Sequence, residues 1–182
     1  EEEKIESETE GYKEEMKKID WERVDMTLLG ASIKKENILR DNPSVTDFNF
    51  FYSHCPKGIY GVKEYSKITV KEIYNGIDLV LYNSSKNGFK YDFVVRPGAD
   101  PIQIGLVYSS LDPLHLNRVG AVEVRTQSGI LTENAPVSFQ DGKEIPSRFV
   151  RSPEKKNDKG GYDTQIHFSI DAYDKSRPLI ID

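Results

Sequence analysis

One cysteine, two methionines and one tryptophan in 182 residues are the scarcities that bound this chain. With Cys55 alone, no internal disulfide forms and no cysteine-based zinc site can be built from this chain. No apolar run approaches the roughly 20 residues that a bilayer-spanning helix needs. Glycine-rich phosphate loops of the Gly-x-Gly-x-x-Gly or P-loop type are absent, and so is the Gly-x-Ser-x-Gly nucleophile elbow. Positive charge is in deficit: 25 Lys and Arg face 30 Asp and Glu, a net charge of -5. A general nucleic-acid binder concentrates basic surface to neutralise phosphates, so that class is set aside. The opening Glu1-Glu2-Glu3-Lys4 does not have the form of a signal peptide.

Aromatic residues are plentiful by contrast, with 10 Tyr and 8 Phe. Together with Val and Ile they favour pleated, half-buried surfaces. Hydrophobic residues make up 37% and charged residues 30%, against roughly 45–50% apolar in an average globular domain. Much of the excess charge lies in residues 1–20, which read as an acidic tail or linker. Tyr12, Met16 and Ile19 have helical spacing there, so a short amphipathic helix is the alternative. From Trp21 the pattern changes to short strands, and residues 21–182 read as one domain. Val24, Met26 and Leu28 alternate with Arg23, Asp25 and Thr27. Lys34 to Val45 is polar and holds a turn cluster at Asp41-Asn42-Pro43-Ser44. Phe48, Phe50, Phe51 and Tyr52 form an aromatic strand or anchor, which His54 to Gly58 is expected to break. Ile68, Val70 and Ile73 precede the turn Asn75-Gly76. Ile77 to Tyr82 and Phe89 to Val95 are two apolar strands around a loop carrying Asn87-Gly88. Pro97 and Pro101 force a rigid corner. Further strands are expected at 104–108, 114–117, 122–126, 130–133, 137–140, 148–151 and 165–170, with a charged loop over 152–162 and an apolar run at Leu179–Ile181. Turns every ten residues or so predict an all-β, mainly antiparallel β-sandwich of many short strands.

The series Gly76-Ile77-Asp78-Leu79-Val80-Leu81-Tyr82, Tyr91-Asp92-Phe93-Val94-Val95 and Pro97-Gly98-Ala99-Asp100-Pro101 resembles a bacterial domain of unknown function. That domain sits N-terminal to β-propeller-like SBBP repeats in large exported proteins. Gly30-Ala31, Asn49-Phe50-Phe51, Gly120 before the strand at 122–126, Ala135-Pro136-Val137, Phe139-Gln140 and the closing stretch from Tyr173 to Asp182 follow in the same order. The resemblance spans roughly residues 22–182. It implies a module of an exported multidomain surface protein, secreted or on the cell surface, with neighbouring repeat domains or surface proteins as partners. It supplies no catalytic residues. In that family further strand-rich sequence usually precedes this part, where this chain has an acidic stretch, so an open sheet edge is a further expectation.

Candidate chemistry is thin. His54, His115 and His167 lie far apart and in no zinc-ligand spacing; His167, alternating with Ile166 and Phe168, is expected to face solvent. Cys55 beside His54 invites a nucleophile hypothesis, but a thiolate needs a base placed in space and a positive environment. Adjacent strand residues point to opposite sides, so a partly buried loop thiol is the expectation. Asp41 with Asp47, or Asp158 with Asp163, offer carboxylates for calcium, but no Asp-x-Asp-x-Asp-Gly loop occurs and turn formation is the plainer role. Asp78 and Asp92 sit within apolar strands. They read as partners for a nearby Arg or Lys, with paired hydrolase carboxylates as the sharper alternative. The expectation is therefore an interaction module with no catalytic, cofactor or metal residues. A carbohydrate-binding module with exposed aromatics stands second, and a hydrolase third.

Overall fold

The computed structural model describes residues 21–84 and 88–182; the sequence readings for 1–20 and for Asn87 lie outside the described residues. The strands are β1 (Asp25–Leu28), β2 (Ile38–Pro43), β3 (Phe48–Tyr52), β4 (Cys55–Val62), β5 (Tyr65–Tyr74), β6 (Ile77–Ser84), β7 (Gly88–Val95), β8 (Gly105–Ser110), β9 (His115–Leu116), β10 (Val122–Thr126), β11 (Gly129–Glu133), β12 (Ser138–Gln140), β13 (Lys143–Ile145), β14 (Ser147–Arg151), β15 (Lys155–Lys156), β16 (Tyr162–Ile170) and β17 (Leu179–Ile181). The only helices among the described residues are two short 3-10 turns, Lys35–Asn37 and Pro101–Gln103.

A seven-stranded sheet runs β13-β12-β17-β7-β6-β5-β2, and a five-stranded one runs β1-β8-β16-β14 with β15 also on β16. The recorded pairings are antiparallel. Alternation explains the packing: Ile77, Leu79, Phe93 and Val95 point inward from β6 and β7, while Leu106, Tyr108, Thr164 and Ile166 do so from β8 and β16. Phe93 meets Phe168 edge-on at 6.0 Å, joining the two sheets at their inner faces. A third sheet, β11-β10-β9, adds Val122 and Val124 to the same core. This is the sandwich that the spacing of turns predicts, and the run Leu179–Ile181 is a strand inside its larger sheet, between β12 and β7.

Four strands depart from the sequence reading. The polar stretch before Val45 contains β2, which pairs with β5 from Ile38↔Val70 to Pro43↔Tyr65. The expected break at His54–Gly58 is a two-residue turn followed by β4, which returns along β3. β13 pairs with β12 across an Asp141-Gly142 turn in which both residues have positive φ, 50° and 75°, and β15 lies within the charged loop. None of these four strands contains a buried residue. Backbone pairing rather than an apolar face defines them, so hydrophobic alternation gives no sign of them.

Candidate functional site

The first prominent feature is an aromatic arm. β2 and β5 form the edge hairpin of the large sheet, and their chain continues outward into β3 and β4, which pair with nothing else among the described residues. The junction is closed by Ser44 N–H donating to the Glu64 carbonyl (2.8 Å), Glu64 N–H donating to Ser44 Oγ (3.1 Å) and a Lys63–Asp47 ion pair. Both faces of the arm are solvated. Phe50 is 39% exposed, Tyr52 48%, Tyr60 62% and Phe51 68%. Phe50, Tyr52 and His54 form a row of parallel rings, with centroids 6.2 and 5.3 Å apart. Phe51 and Tyr60 meet edge-to-face at 5.5 Å over Gly58, whose missing side chain leaves room for both rings. A two-stranded ribbon with no buried face is marginal in water, and clustered exposed aromatics mark an interaction surface.

The second feature is a cleft of about 300 Å³ between the β11–β12 connection and the start of β7. Phe149, Phe168, Val137 and Ile181 wall it, and Glu133 lines it from the end of β11. The Glu133 carboxylate accepts a hydrogen bond from Tyr91 Oη on one oxygen and from Tyr108 Oη on the other. It thereby ties β7, β8 and β11, one strand from each of the three sheets. Burial pushes the Glu133 carboxyl above its ordinary value, and the Tyr91 hydroxyl opposes the rise. Burial, reinforced by the Glu133 charge, also raises the Tyr91 phenol. Lys90 and Asp182, ion-paired to each other, line the cleft as well.

The third feature is a polar clasp on a β-bulge. Between Val70↔Leu79 and Tyr74↔Ile77, β5 carries two more residues than β6, and Glu72 there has φ 54°. Asp78 accepts the Glu72 N–H at 2.9 Å and the Arg96 guanidinium at 3.1 Å. Glu72 in turn accepts the Gly76 N–H at 3.0 Å and a second bond from Arg96. The Gly76 amide, then Arg96, hold the Glu72 carboxyl below the usual range. Asp100 caps the following 3-10 turn by accepting the Ile102 N–H at 3.1 Å. The Gly-Ile-Asp and Arg-Pro-Gly-Ala-Asp stretches are thus folding devices.

A family model described as "Domain of unknown function (DUF7948)" matches residues 1–182. The chain belongs to this family. No curated protein and no solved structure matches it.

In this DUF7948 domain the residues singled out by sequence scatter. Asp78 has the Arg partner expected of it. Asp92 lies on the same outer face, since Asp78 stands opposite Val94 and Asp92 opposite Val80, but it accepts from Tyr82 Oη instead. Burial raises the Asp92 carboxyl while that hydroxyl lowers it. Asp41 pairs with Lys67 and Asp47 with Lys63. Asp163 accepts from Ser109 and Asn157, whose side chains depress it. His54 is taken into the aromatic row, Cys55 Sγ lies 3.8 Å from the Gly58 carbonyl, and His115 is exposed on β9. His167 does not face open solvent: it is half-buried, with Nε2 2.8 Å from the Gln165 amide and Nδ1 3.4 Å from the Ile104 carbonyl. Among the described residues no group of three or more His, Cys, Asp or Glu is placed to hold a metal ion, and no helix is long and apolar enough to cross a membrane.

Sequence reasoning missed Glu133. Its partners lie 42 and 25 residues away, and Ile-Leu-Thr-Glu reads as an ordinary strand end. The aromatic density of 48–60 was the one visible signal of the arm.

Proposed function

We propose that this DUF7948 domain is a non-catalytic structural and interaction module of an exported, multidomain bacterial surface protein. Its docking surface is the β3–β4 arm. One observation carries the reading: a ribbon of four exposed aromatic side chains stands off the sheet edge with neither face buried. Ordering such a ribbon in water gains little by itself, so its apolar surface is best accounted for by a partner that covers it. The resemblance to domains that precede SBBP repeats supports a neighbouring repeat domain as that partner and a place on or outside the cell surface.

A second reading is favoured by a specific geometry. The parallel Phe50, Tyr52 and His54 rings, spaced 5.3–6.2 Å apart, suit stacking against successive sugar rings. A thermal-shift screen against oligosaccharides, cell-wall fragments and the neighbouring repeat domain separates the two. A ligand at a hundred times its dissociation constant adds about 2.7 kcal/mol to stability. A shift with the repeat domain, lost in Phe51→Ser/Tyr60→Ser, supports docking. A shift with one sugar class, lost in Phe50→Ala/Tyr52→Ala, replaces docking with glycan binding. No shift with any of them removes the arm as the functional surface.

A further inference from the structure

The cleft beside Glu133 calls for its own explanation, because the arm plays no part in it. Apolar and aromatic side chains line one part of it, and Glu133, Lys90, Asn134 and Asp182 supply polar groups. Each Glu133 oxygen accepts one tyrosine hydroxyl. A carboxylate has about four acceptor positions, so about half remain. Among the described residues no Lys or Arg pairs with Glu133, and the cation lining the same cleft, Lys90, is engaged by Asp182. A carboxylate withdrawn from water by burial and without a paired counter-charge is costly, and a cation entering the cleft relieves that cost. The walls set the rest of the ligand. Phe149 and Phe168, 5.4 Å apart and tilted by 46°, both line the cleft, and aromatic rings attract methylene groups and positive charge alike. About 300 Å³ is room for a small ligand or one inserted side chain.

We infer that this cleft is a binding site for a primary alkylammonium group, with the nitrogen on the Glu133 carboxylate and the alkyl chain against Phe149 and Phe168. The group has two natural sources, a lysine side chain and the α-amine of a polypeptide. Glu133 is the recognition residue, Tyr91 and Tyr108 position it, and the aromatic walls select an alkyl-bearing cation over a bare metal ion.

The test is a titration of the 182-residue chain, followed by NMR at residues lining the cleft, with four probes. These are n-butylammonium, n-butanol, Nα-acetyl-lysine methylamide and alanine methylamide. The expected result is saturable binding of n-butylammonium, with n-butanol at least about tenfold weaker because it lacks the charge-assisted bond. That comparison needs no variant, so a folding defect cannot obscure it. Glu133→Gln keeps the shape, its amide oxygen accepting from one tyrosine while its NH2 donates to the other hydroxyl. It is expected to weaken n-butylammonium about tenfold or more, while Val119→Ala, exposed and outside both the cleft and the arm, leaves it unchanged. Tighter binding of the lysine probe assigns the site to a side chain, and tighter binding of alanine methylamide assigns it to an α-amine. Equal binding of n-butylammonium and n-butanol, unchanged affinity in folded Glu133→Gln, or no perturbation at the cleft by any amine overturns the assignment. None of these outcomes bears on the arm, so this site and the docking surface stand or fall separately.

Discussion

Gly76 packs against Ala99 so closely that a β-carbon on Gly76 would sit 2.7 Å from the Ala99 β-carbon. Gly76 also has φ 73°, and Arg96 N–H donates to its carbonyl at 2.9 Å, so the turn cannot back away cheaply. Gly76→Ala therefore meets both left-handed strain and overpacking, together about 2–4 kcal/mol. Gly30 supplies the control, with φ 67° and open space around it; Gly30→Ala is expected to cost only the conformational part, about 1–2 kcal/mol. Urea denaturation of the two variants checks this, and equal losses would show that the Ala99 contact carries no weight.

The clasp around the β5 bulge has an unequal division of labour. The Asp78 side chain is 17% exposed and holds a backbone amide, while the Arg96 side chain is 44% exposed. Removing Asp78 strands the Glu72 N–H, and Asp78→Ala is expected to cost about 1–3 kcal/mol. Arg96→Met removes only solvent-screened charge contacts and is expected to cost about 1 kcal/mol or less. Chemical denaturation decides, and a larger loss for the arginine variant would reverse the ranking.

Many of the strands legible in the sequence have one buried face, although β1, β3 and β11, also read there, have no buried residue. Val122 and Val124 are buried, Glu123 and Arg125 are not, and β10 runs over the very residues that the alternation marks. β2 and β4 lack an apolar face to mark them; β2 is placed by β5, distant in sequence, and β4 by the two-residue turn that returns it along β3. Glu133 was illegible for a related reason: its environment is made by Tyr91 and Tyr108, which reach it from two other sheets. Asp78 was readable as an ion-pair partner, but its hold on a backbone amide depends on a bulge that residue identity alone does not place.

Glu133 gives the fold an unusual pH response. Burial raises its folded value above the ordinary 4.5, so the folded state binds that proton more tightly than the unfolded chain does. Stability from this group is fully present below the ordinary value and is lost as pH rises through the raised one. Asp92, also raised by burial, acts in the same sense. Glu72, Asp163 and Asp174 are depressed and act oppositely, their contribution vanishing as pH falls. The difference between Glu133→Gln and the parent isolates the one group. Relative to the parent, the variant is expected to gain stability as pH rises from 4 towards 8. Urea midpoints across that range test it; a flat difference, or one that shrinks, would sink the assignment of a buried, destabilised carboxylate.

The arm should behave as a separate unit of stability. Among the described residues its hydrogen bonds run between β3 and β4 and through the junction of Ser44–Thr46 with Lys63 and Glu64, and no residue from 21 to 69 is buried. Opening it exposes little new apolar surface, so its amides are expected to exchange through local openings. Those of Leu79 and Phe93, in the centre of the large sheet, should wait for global unfolding. Gly58→Ala sharpens the test. Gly58 has φ 71°, and a β-carbon there would lie 3.0 Å from both the Phe51 and Tyr60 rings. The variant should therefore speed exchange in Phe48–Val62 while leaving the global denaturation midpoint unchanged, because strain placed in a segment that already opens alone is released before the core unfolds. Arm amides as slow as those of Phe93, or a global midpoint that falls with Gly58→Ala, would mean that the ribbon is mechanically part of the sandwich. An arm that opens on its own in the free domain is also one that a partner can order, and suppression of that exchange by the neighbouring repeat domain is the sign expected of a docking surface.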